Sequence, residues 1–208
     1  LILVGSINNI KLNNLKLKNI DYINVTGLED NNNIILRQKI KNLNLENILL
    51  INAKQITNLI NSNSLVEKYI IFKRYPSSID IKIEKTKFLA KINKDGKIFY
   101  LGSNGKLSKN IFIKNDLPFI FGKPDIREFL QFKKTIDQSK ISYAKIKNLY
   151  FYPSKRWDLE IEDNVIIKLP NINTKETLDV ALDFLYNNKL KNIKTIDVRV
   201  KDQIILND

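Results

Sequence analysis

The 208-residue sequence contains no cysteine, no histidine and no methionine. Without Cys or His, the chain has no disulfide bond, no cysteine or histidine zinc cluster, no thiol nucleophile and no imidazole base. Hydrolases built on a Ser–His or Cys–His pair are therefore excluded. The six glycines are not grouped as a phosphate-binding loop requires. These absences favour a non-enzymatic protein over an enzyme.

The sequence also lacks a long hydrophobic run. No stretch approaches the ~18–20 apolar residues that a membrane-spanning helix needs. The sequence begins at Leu1 rather than at Met, however, and its first four residues, Leu1-Ile2-Leu3-Val4, are all apolar. Two interpretations remain open from these residues: an ordinary first strand, or the outer end of a membrane helix whose beginning is not included.

The positive charge is large, but arginine contributes little to it. Lys and Arg number 35 against 22 Asp and Glu, which gives a net charge of +13, yet only 5 of these cations are Arg. The lysines are spread along a chain that is also rich in Ile and Asn, as AT-rich codons produce. Nucleic-acid binders are expected to cluster their cations and to use more Arg. The charge therefore does not favour a nucleic-acid partner.

The first half of the chain has the pattern of a small α+β domain. Residues 20–26 are rich in β-branched and aromatic residues, which is typical of a strand. Asp30 and the three asparagines that follow it offer N-caps for a helix, and a second helical pattern begins near Ala53. Residues 65–72 and 79–84 predict two more strands. The expected order is strand, helix, helix, strand, strand.

The second half is predicted to be mostly antiparallel sheet with two helices. The dipeptide Asp95-Gly96 indicates a hairpin, because both central residues of that turn need positive φ. Residues 118–124 are interpreted as a loop bracketed by two prolines. Asp125 caps one predicted helix, while Asn173 and Glu176 form a candidate capping pair for the other.

Two sets of motifs follow one another along the chain. The first set is Val25-Thr26-Gly27 and Arg74-Tyr75-Pro76-Ser77-Ser78. The second set is Asp95-Gly96, Asn104-Gly105, Arg156-Trp157-Asp158-Leu159, Ile167-Lys168-Leu169-Pro170 and Ile196-Asp197-Val198-Arg199-Val200. The first set resembles a POTRA domain, and the second resembles the FtsQ/DivIB family of bacterial cell-division proteins. The resemblance covers nearly the whole chain.

The resemblance implies a domain organisation and a location. Residues 1–19 are expected to be a juxtamembrane stub at the end of a missing membrane helix, residues 20–87 a POTRA domain, and residues 88–208 an FtsQ-type β domain. The protein would be a single-pass inner-membrane protein, with these domains on the periplasmic side and concentrated at the division septum.

The resemblance also implies a non-enzymatic scaffold without cofactors, metals or a small-molecule substrate. The expected partners are FtsB and FtsL, with FtsK, FtsW and FtsI as further candidates. In the family, the last strand of the β domain is the partner-binding edge, and nearby arginines pair with acidic partner residues. The alternative is a POTRA-type periplasmic module of outer-membrane protein export or assembly that binds extended peptides.

One physical argument agrees with the implied partner site. Residues 199–206 are predicted to form a terminal strand, and an edge strand has unpaired backbone groups to which a partner segment can add. The predicted partner-binding residues are Arg199, Val200, Lys201, Asp202, Gln203, Ile204 and Arg156. The resemblance implies the roles of Arg199, which matches the Asp-x-Arg motif of the family, and of Arg156, which precedes the tryptophan.

Other residues of the same region are predicted to have structural roles. Trp157 is interpreted as core packing, because large aromatic side chains mainly supply buried area. Asp158, Glu160 and Glu162 alternate along one strand and are expected to face solvent rather than to bind a metal.

Overall fold

The structure, a computed structural model, describes residues 19–43, 45, 53–109, 116–188 and 193–207. The chain divides into two compact units, Leu1–Lys85 and Thr86–Asp208. Each unit has its own cluster of buried apolar side chains. The apolar segment expected to end a membrane helix lies outside the described residues. Within the described ranges, no helix has the length and apolar character needed to cross a membrane.

The first unit has the predicted order of strand, helix, helix, strand, strand. Its elements are β1 (Tyr22–Thr26), α1 (Asp30–Lys41), α2 (Ala53–Ser62), β2 (Val66–Arg74) and β3 (Ser78–Lys85). β3 lies between the other two strands, parallel to β1 and antiparallel to β2. The mixed α+β architecture is therefore confirmed for this unit.

Alternation along β3 builds the core of the first unit. Ile79, Ile81 and Ile83 are buried, and they pack in the same cluster as Leu36 and Ile40 of α1. Since side chains of a strand alternate between faces, the isoleucines occupy one face of β3. The apolar pattern that predicted this strand thus becomes the contact between sheet and helices.

The predicted cap of α1 is wrong. Asp30 is the first helical residue, and the N-cap position belongs to Glu29, whose side chain makes no capping bond. Instead, the side-chain amide of Asn33 accepts from the Leu28 N–H at 3.1 Å and donates to the Leu28 carbonyl at 2.9 Å. This pair of bonds fixes the entry of the helix without a carboxylate cap.

The second unit is built on one large sheet. Its elements in chain order are β4 (Phe88–Lys94), β5 (Lys97–Gly102), β6 (Leu107–Ser108), β7 (Phe119–Phe121), α3 (Ile126–Asp137), β8 (Ile146–Phe151), β9 (Trp157–Ile161), β10 (Ile166–Lys168), α4 (Thr174–Asn187), β11 (Thr195–Asp197) and β12 (Ile205–Asn207). The strand order is β12-β11-β10-β9-β8-β7-β4-β5-β6. The pairs β4–β7, β7–β8 and β10–β11 are parallel, and the remaining pairs are antiparallel.

The expected loop at residues 118–124 contains a central strand, so that prediction is wrong. β7 lies between β4 and β8 and is parallel to both. The Pro118 carbonyl accepts from the Lys91 N–H at 2.8 Å and aligns the start of the strand. At its end, Gly122 has a φ of +93°, and a Cβ there would lie 2.3 Å from the Phe151 carbonyl oxygen. Only glycine permits this close approach.

The turn and capping predictions of the second unit have mixed outcomes. Asp95 and Gly96 both adopt positive φ, as a tight hairpin requires. Asp125 forms the predicted cap, accepting from the Arg127 N–H at 3.0 Å. The predicted capping pair of Asn173 with Glu176 is wrong, because Asn173 has a left-handed backbone conformation and its side chain makes no capping hydrogen bond.

Both helices of the second unit contribute side chains to its core. Phe129 and Phe132 of α3 and Leu178 and Leu182 of α4 are buried in the same cluster as the sheet residues. Trp157 belongs to this core, as predicted: it is 5% exposed and stacks on Phe132 with ring centroids 4.6 Å apart.

Candidate partner-binding site

Four aligned residues form a row on the outer face of the large sheet, at the end that carries β12. The register aligns Asp158 of β9 with Lys168 of β10, Lys168 with Asp197 of β11, and Asp197 with Ile205 of β12. These four residues form a row on the face opposite the buried row of Leu159, Ile167 and Ile196. Polar side chains of this outer row sit beside the edge of the sheet.

The single terminal strand predicted for residues 199–206 is wrong. β11 ends at Asp197, the chain turns through residues 198–204, and β12 returns antiparallel to β11. The Gln203 N–H donates to the Val200 carbonyl at 3.2 Å, and Asp202 has a φ of +59°. Aspartate tolerates this left-handed conformation, so it allows the chain to reverse where alternation suggested a continuous strand.

At this end of the sheet, the edge strand is therefore β12. It stands at the end of the nine-strand order and pairs on one side with β11. On its other side, no strand within the described ranges pairs with it. Ile205 and Leu206 are 49% and 39% exposed. A short edge with exposed apolar side chains is suited to pairing with an added strand.

A groove of about 500 Å³ lies beside this edge. It runs between the first half of α4 and the turn that joins β11 to β12. Its lining residues are Pro170, Ile172, Asn173, Glu176, Thr177, Val180, Val198, Arg199, Val200, Lys201, Asp202, Gln203 and Ile204. All six predicted residues from Arg199 onwards are among them, whereas Arg156 is not.

The groove is apolar in its exposed part. Ile172, Val180 and Val200 are 69%, 52% and 47% exposed, and Val198 is buried beside them. Exposed apolar side chains gathered around a concave surface mark an interaction site more strongly than single ones do. The groove therefore offers apolar contacts next to the polar row and the open edge.

Arg199 is held in place by its neighbour Asp197. Its Nε donates to Asp197 Oδ1 at 2.8 Å and its Nη2 to Asp197 Oδ2 at 2.5 Å. Hydrogen bonding to Arg199 lowers the pKa of Asp197, and the same bond raises the pKa of Arg199. The Arg199 side chain remains 37% exposed. This bidentate pair orients a charged guanidinium that solvent or a partner can still reach.

Arg156 approaches the same cluster from the turn between β8 and β9. Its guanidinium lies over the ring of Tyr152, 4.1 Å from the centroid, and its Nε is 3.7 Å from Asp158 Oδ1. The Arg156 side chain is 28% exposed. The charges of Arg156 and Arg199 both act on the Asp158 carboxylate. Arg156 therefore lies beside Asp158, whereas Arg199 is bonded to Asp197 and acts on Asp158 through its charge.

The prediction that Asp158 faces solvent is wrong. It lies on the outer face, as alternation requires, but it is only 1% exposed. Burial raises the pKa of Asp158, while the Tyr152 hydroxyl and the two arginines oppose that rise. Glu160, two residues on, accepts from the Tyr150 hydroxyl at 2.6 Å and from the Asn148 amide at 2.8 Å. Glu162 is exposed, as expected.

Sequence reasoning missed the contribution of α4 to the groove. Leu178, Ala181, Leu182 and Leu185 form the core stripe of this helix, and Val180 stands outside it. An apolar residue on the polar face of an amphipathic helix is the signal that points to such a contact. In the described part of the chain, no group of acidic side chains is arranged to hold a metal ion.

Comparisons with known proteins match both units to one family. Residues 83–199 match the model for "Cell division protein FtsQ/DivIB, C-terminal", and residues 18–85 match "POTRA domain, FtsQ-type". The first of these covers more than half of the chain. β12 and most of the preceding turn lie beyond the matched residues.

Two curated relatives are described as cell division protein FtsQ. Cell division protein FtsQ of Rickettsia bellii is 25% identical over 159 residues, which are 75% of this chain and 60% of the relative. FtsQ of Bradyrhizobium diazoefficiens is 22% identical over 167 residues, 76% of this chain and 48% of the relative. The chain thus spans about half the length of the curated relatives that it matches.

One solved structure is also similar. The major extracytoplasmic domain of the cell-division protein DivIB from Geobacillus stearothermophilus is 15% identical and covers 51% of this chain and 98% of its own length. Its TM-score of 0.36 is too low to support an inference about the fold or the site.

Proposed function

This chain belongs to the FtsQ/DivIB family of cell-division proteins, and we propose that it is a non-enzymatic scaffold of the division septum that binds FtsB and FtsL through its second unit. The observation that carries the proposal is the open edge of β12 beside an apolar groove and two arginines. The match of residues 83–199 to the FtsQ/DivIB model favours this role over a module of outer-membrane export.

Strand addition supplies the backbone part of the proposed interaction. An extended partner segment pairs with the free side of β12 and becomes the next strand of the sheet. Ile205 and Leu206 are both exposed and contribute apolar contacts on either face of the added strand. The proposed pairing therefore begins at Ile205 and not at Arg199, where the chain is still in the turn.

The groove supplies the apolar contacts and the arginines the polar ones. Val200 and Val180 are about half exposed, so a partner side chain seated between them removes apolar surface from water. Arg199 and Arg156 keep exposed guanidinium surface near the groove. Acidic residues of the partner segment pair with these arginines, and their charges favour encounter and correct register.

Family membership also supports a proposed location. We place the protein in the inner membrane with a single-pass anchor, both units on the periplasmic side, and concentration at the septum. The first unit, as a POTRA domain, helps to recruit the protein there, and FtsK, FtsW and FtsI are further candidate partners. A fluorescent fusion to the protein encoded by the complete gene tests this placement: mid-cell membrane bands are expected, and diffuse cytoplasmic signal contradicts it.

The test of partner binding uses proline in the edge strand. Successive residues of a strand direct their N–H groups to opposite sides, so one of Ile205 and Leu206 donates toward β11 and the other outward. Proline at the outward position removes one bond to the added strand and leaves the β11 pairing intact. We expect one of Ile205→Pro and Leu206→Pro to keep its near-UV circular dichroism and lose binding to the extracytoplasmic segment of FtsB in calorimetry.

Two further results bear on the same assignment. Arg199→Glu is expected to weaken FtsB binding by about 1–2 kcal/mol, because the Arg199 side chain is only 37% exposed and its pair with a partner acid would be partly shielded from solvent. If the proline variant that stays folded binds FtsB as tightly as the unchanged protein, strand addition at β12 is wrong.

A further inference from the structure

Asp158 is a charged residue in a place where a charge is costly. It is 1% exposed, and the residues on either side of it in β9, Trp157 and Leu159, belong to the core. Burying a carboxylate without hydrogen-bonded or charged partners costs several kcal/mol, so its partners determine what it does. A solvated acidic face, the expectation from alternation, does not describe this residue.

The partners of Asp158 are the residues proposed to bind the partner protein. Burial raises its pKa, and the Tyr152 hydroxyl, Arg156, Arg199 and the Leu169 backbone N–H favour the ionised form in that order. Asp158 Oδ1 and Arg156 Nε are nevertheless both buried without a hydrogen bond. At 3.7 Å the pair attracts by charge, without the directional bonds that a purely structural ion pair would use.

Both arginines keep donors that these acids do not occupy. The closest approach of Arg156 to Asp158 is through Nε, so its two terminal amino groups lie farther from that carboxylate. Arg199 donates to Asp197 from Nε and Nη2, which leaves its Nη1 group outside that pair. A guanidinium has five N–H donors in a planar fork. Arg156 also hydrogen-bonds the Tyr152 side chain, which uses part of its fork, and the remaining donors of both arginines match a carboxylate.

We propose that Asp158 is a positioning residue whose buried charge holds Arg156 and Arg199 together so that their free donors bind a carboxylate of the incoming partner segment. The proposal rests on the proposed function, because it concerns how the same site selects an acidic segment. Two guanidinium groups repel each other, and Asp158 offsets that repulsion from inside the sheet face. Asp197 fixes Arg199 alone, whereas Asp158 acts on both.

A simpler electrostatic account predicts the opposite sign. If only the summed charge of the site mattered, removing a negative charge next to two arginines would strengthen binding of an acidic segment. If Asp158 positions the arginines, removing its charge weakens that binding and abolishes the preference for acidic residues. Asp158→Asn keeps the shape and size of the side chain and therefore separates the two accounts.

The experiment compares two probes. One is the extracytoplasmic segment of FtsB from the same organism, and the other is that segment with every Glu and Asp replaced by Gln and Asn. The unchanged protein is expected to bind the acidic probe roughly tenfold or more tightly than the neutral one. Asp158→Asn is expected to bind both probes about equally, near the affinity of the unchanged protein for the neutral probe.

A matched control and a second variant make the result decisive. Glu160→Gln removes a carboxylate from the same strand and face, one bonded to Tyr150 and not to arginine, and should keep the preference. If Asp158→Asn does not fold, Tyr152→Phe removes the hydroxyl that stabilises Asp158 while keeping the ring under Arg156, and should reduce the preference.

The outcomes separate this inference from the proposed function. An Asp158→Asn variant that keeps the full preference, or binds the acidic probe more tightly, overturns the positioning role while partner binding stands. Equal weakening toward both probes reduces Asp158 to a structural role and also overturns it. If the unchanged protein binds neither probe, the proposed function and this inference both fail.

Discussion

The apolar groove offers a change that should alter partner binding without altering the fold. Ile172 and Val180 are 69% and 52% exposed, so neither contributes much to the core. Serine at both positions keeps the helix propensity of Val180 on α4 nearly unchanged, since Val and Ser rank close together. We therefore expect the thermal midpoint of the double variant Ile172→Ser/Val180→Ser to stay close to that of the unchanged protein.

The loss of binding can be worked from the exposed fractions. At least half of each side chain is available for burial by a partner. Full burial of Val or Ile contributes about 1.5–3 kcal/mol, so half burial contributes about 1 kcal/mol for each residue and about 2 kcal/mol for both. The double variant should therefore bind the FtsB segment about 30-fold more weakly in isothermal titration calorimetry.

A control of the same chemistry is available in the first unit. Ile34 and Ile35 lie on α1, and both are 42% exposed. The double variant Ile34→Ser/Ile35→Ser removes an amount of apolar surface comparable to that of the groove variant. Both residues are distant in sequence from the groove residues, so the affinity for the FtsB segment should not change. If the groove variant binds with unchanged affinity, or if both variants lose the same amount, the groove is not the contact surface.

Three stability predictions test the second unit itself. Gly122→Ala should lower the free energy of unfolding by about 3 kcal/mol in urea titration, because its φ is +93° and the new Cβ would meet the Phe151 carbonyl. Gly96→Ala, with positive φ but no atom within 4 Å, should cost only about 1 kcal/mol, and equal losses would contradict the steric argument. Hydrogen bonding from Tyr150 lowers the pKa of Glu160, so that bond stabilises the fold above about pH 4 and is lost as the pH falls through the lowered pKa. Tyr150→Phe should therefore make the loss of stability in acid shallower, and an unchanged pH profile would refute this.

Local signals in the sequence predicted much of the fold. The alternation of Ile79, Ile81 and Ile83 gave β3 and its buried face, because a strand needs only its own period to reveal which side is apolar. Asp125 predicted its cap because the capping bond joins residues close together in the chain. In both cases the information lies within a few residues.

The missed features depend on residues distant in sequence. β7 has three residues, and it is a strand because β4 and β8 flank it on both sides. The Asp158 side chain lies on the outer face of β9, as alternation predicts, but it is buried beside Arg156, which stacks on Tyr152. The pattern of a single strand contains no information about side chains from other segments that bury one of its residues. The turn before β12 was missed because the alternation of apolar and polar residues around it fits a continuous strand equally well.

The corrected turn changes where the proposed partner site lies. Residues 199–204 of the predicted edge strand line a groove, and the edge itself lies farther along, in Ile205–Asn207. The same seven residues remain candidates for contact, but as a surface that presents side chains beside the added strand. The opposite wall of that surface is formed by Val180 of α4 and by Ile172, just before the helix.

Amide hydrogen exchange of the second unit with and without the FtsB segment tests strand addition most directly. A strand added to β12 gives its outward N–H a new acceptor, so we expect slowed exchange within Ile205–Asn207 and reduced exchange in the turn of residues 198–204. Exchange in β5 and β6, at the opposite end of the sheet, should not change. Protection confined to β6 or to the first unit, with Ile205–Asn207 exchanging as fast as in the free protein, would contradict partner binding at this edge.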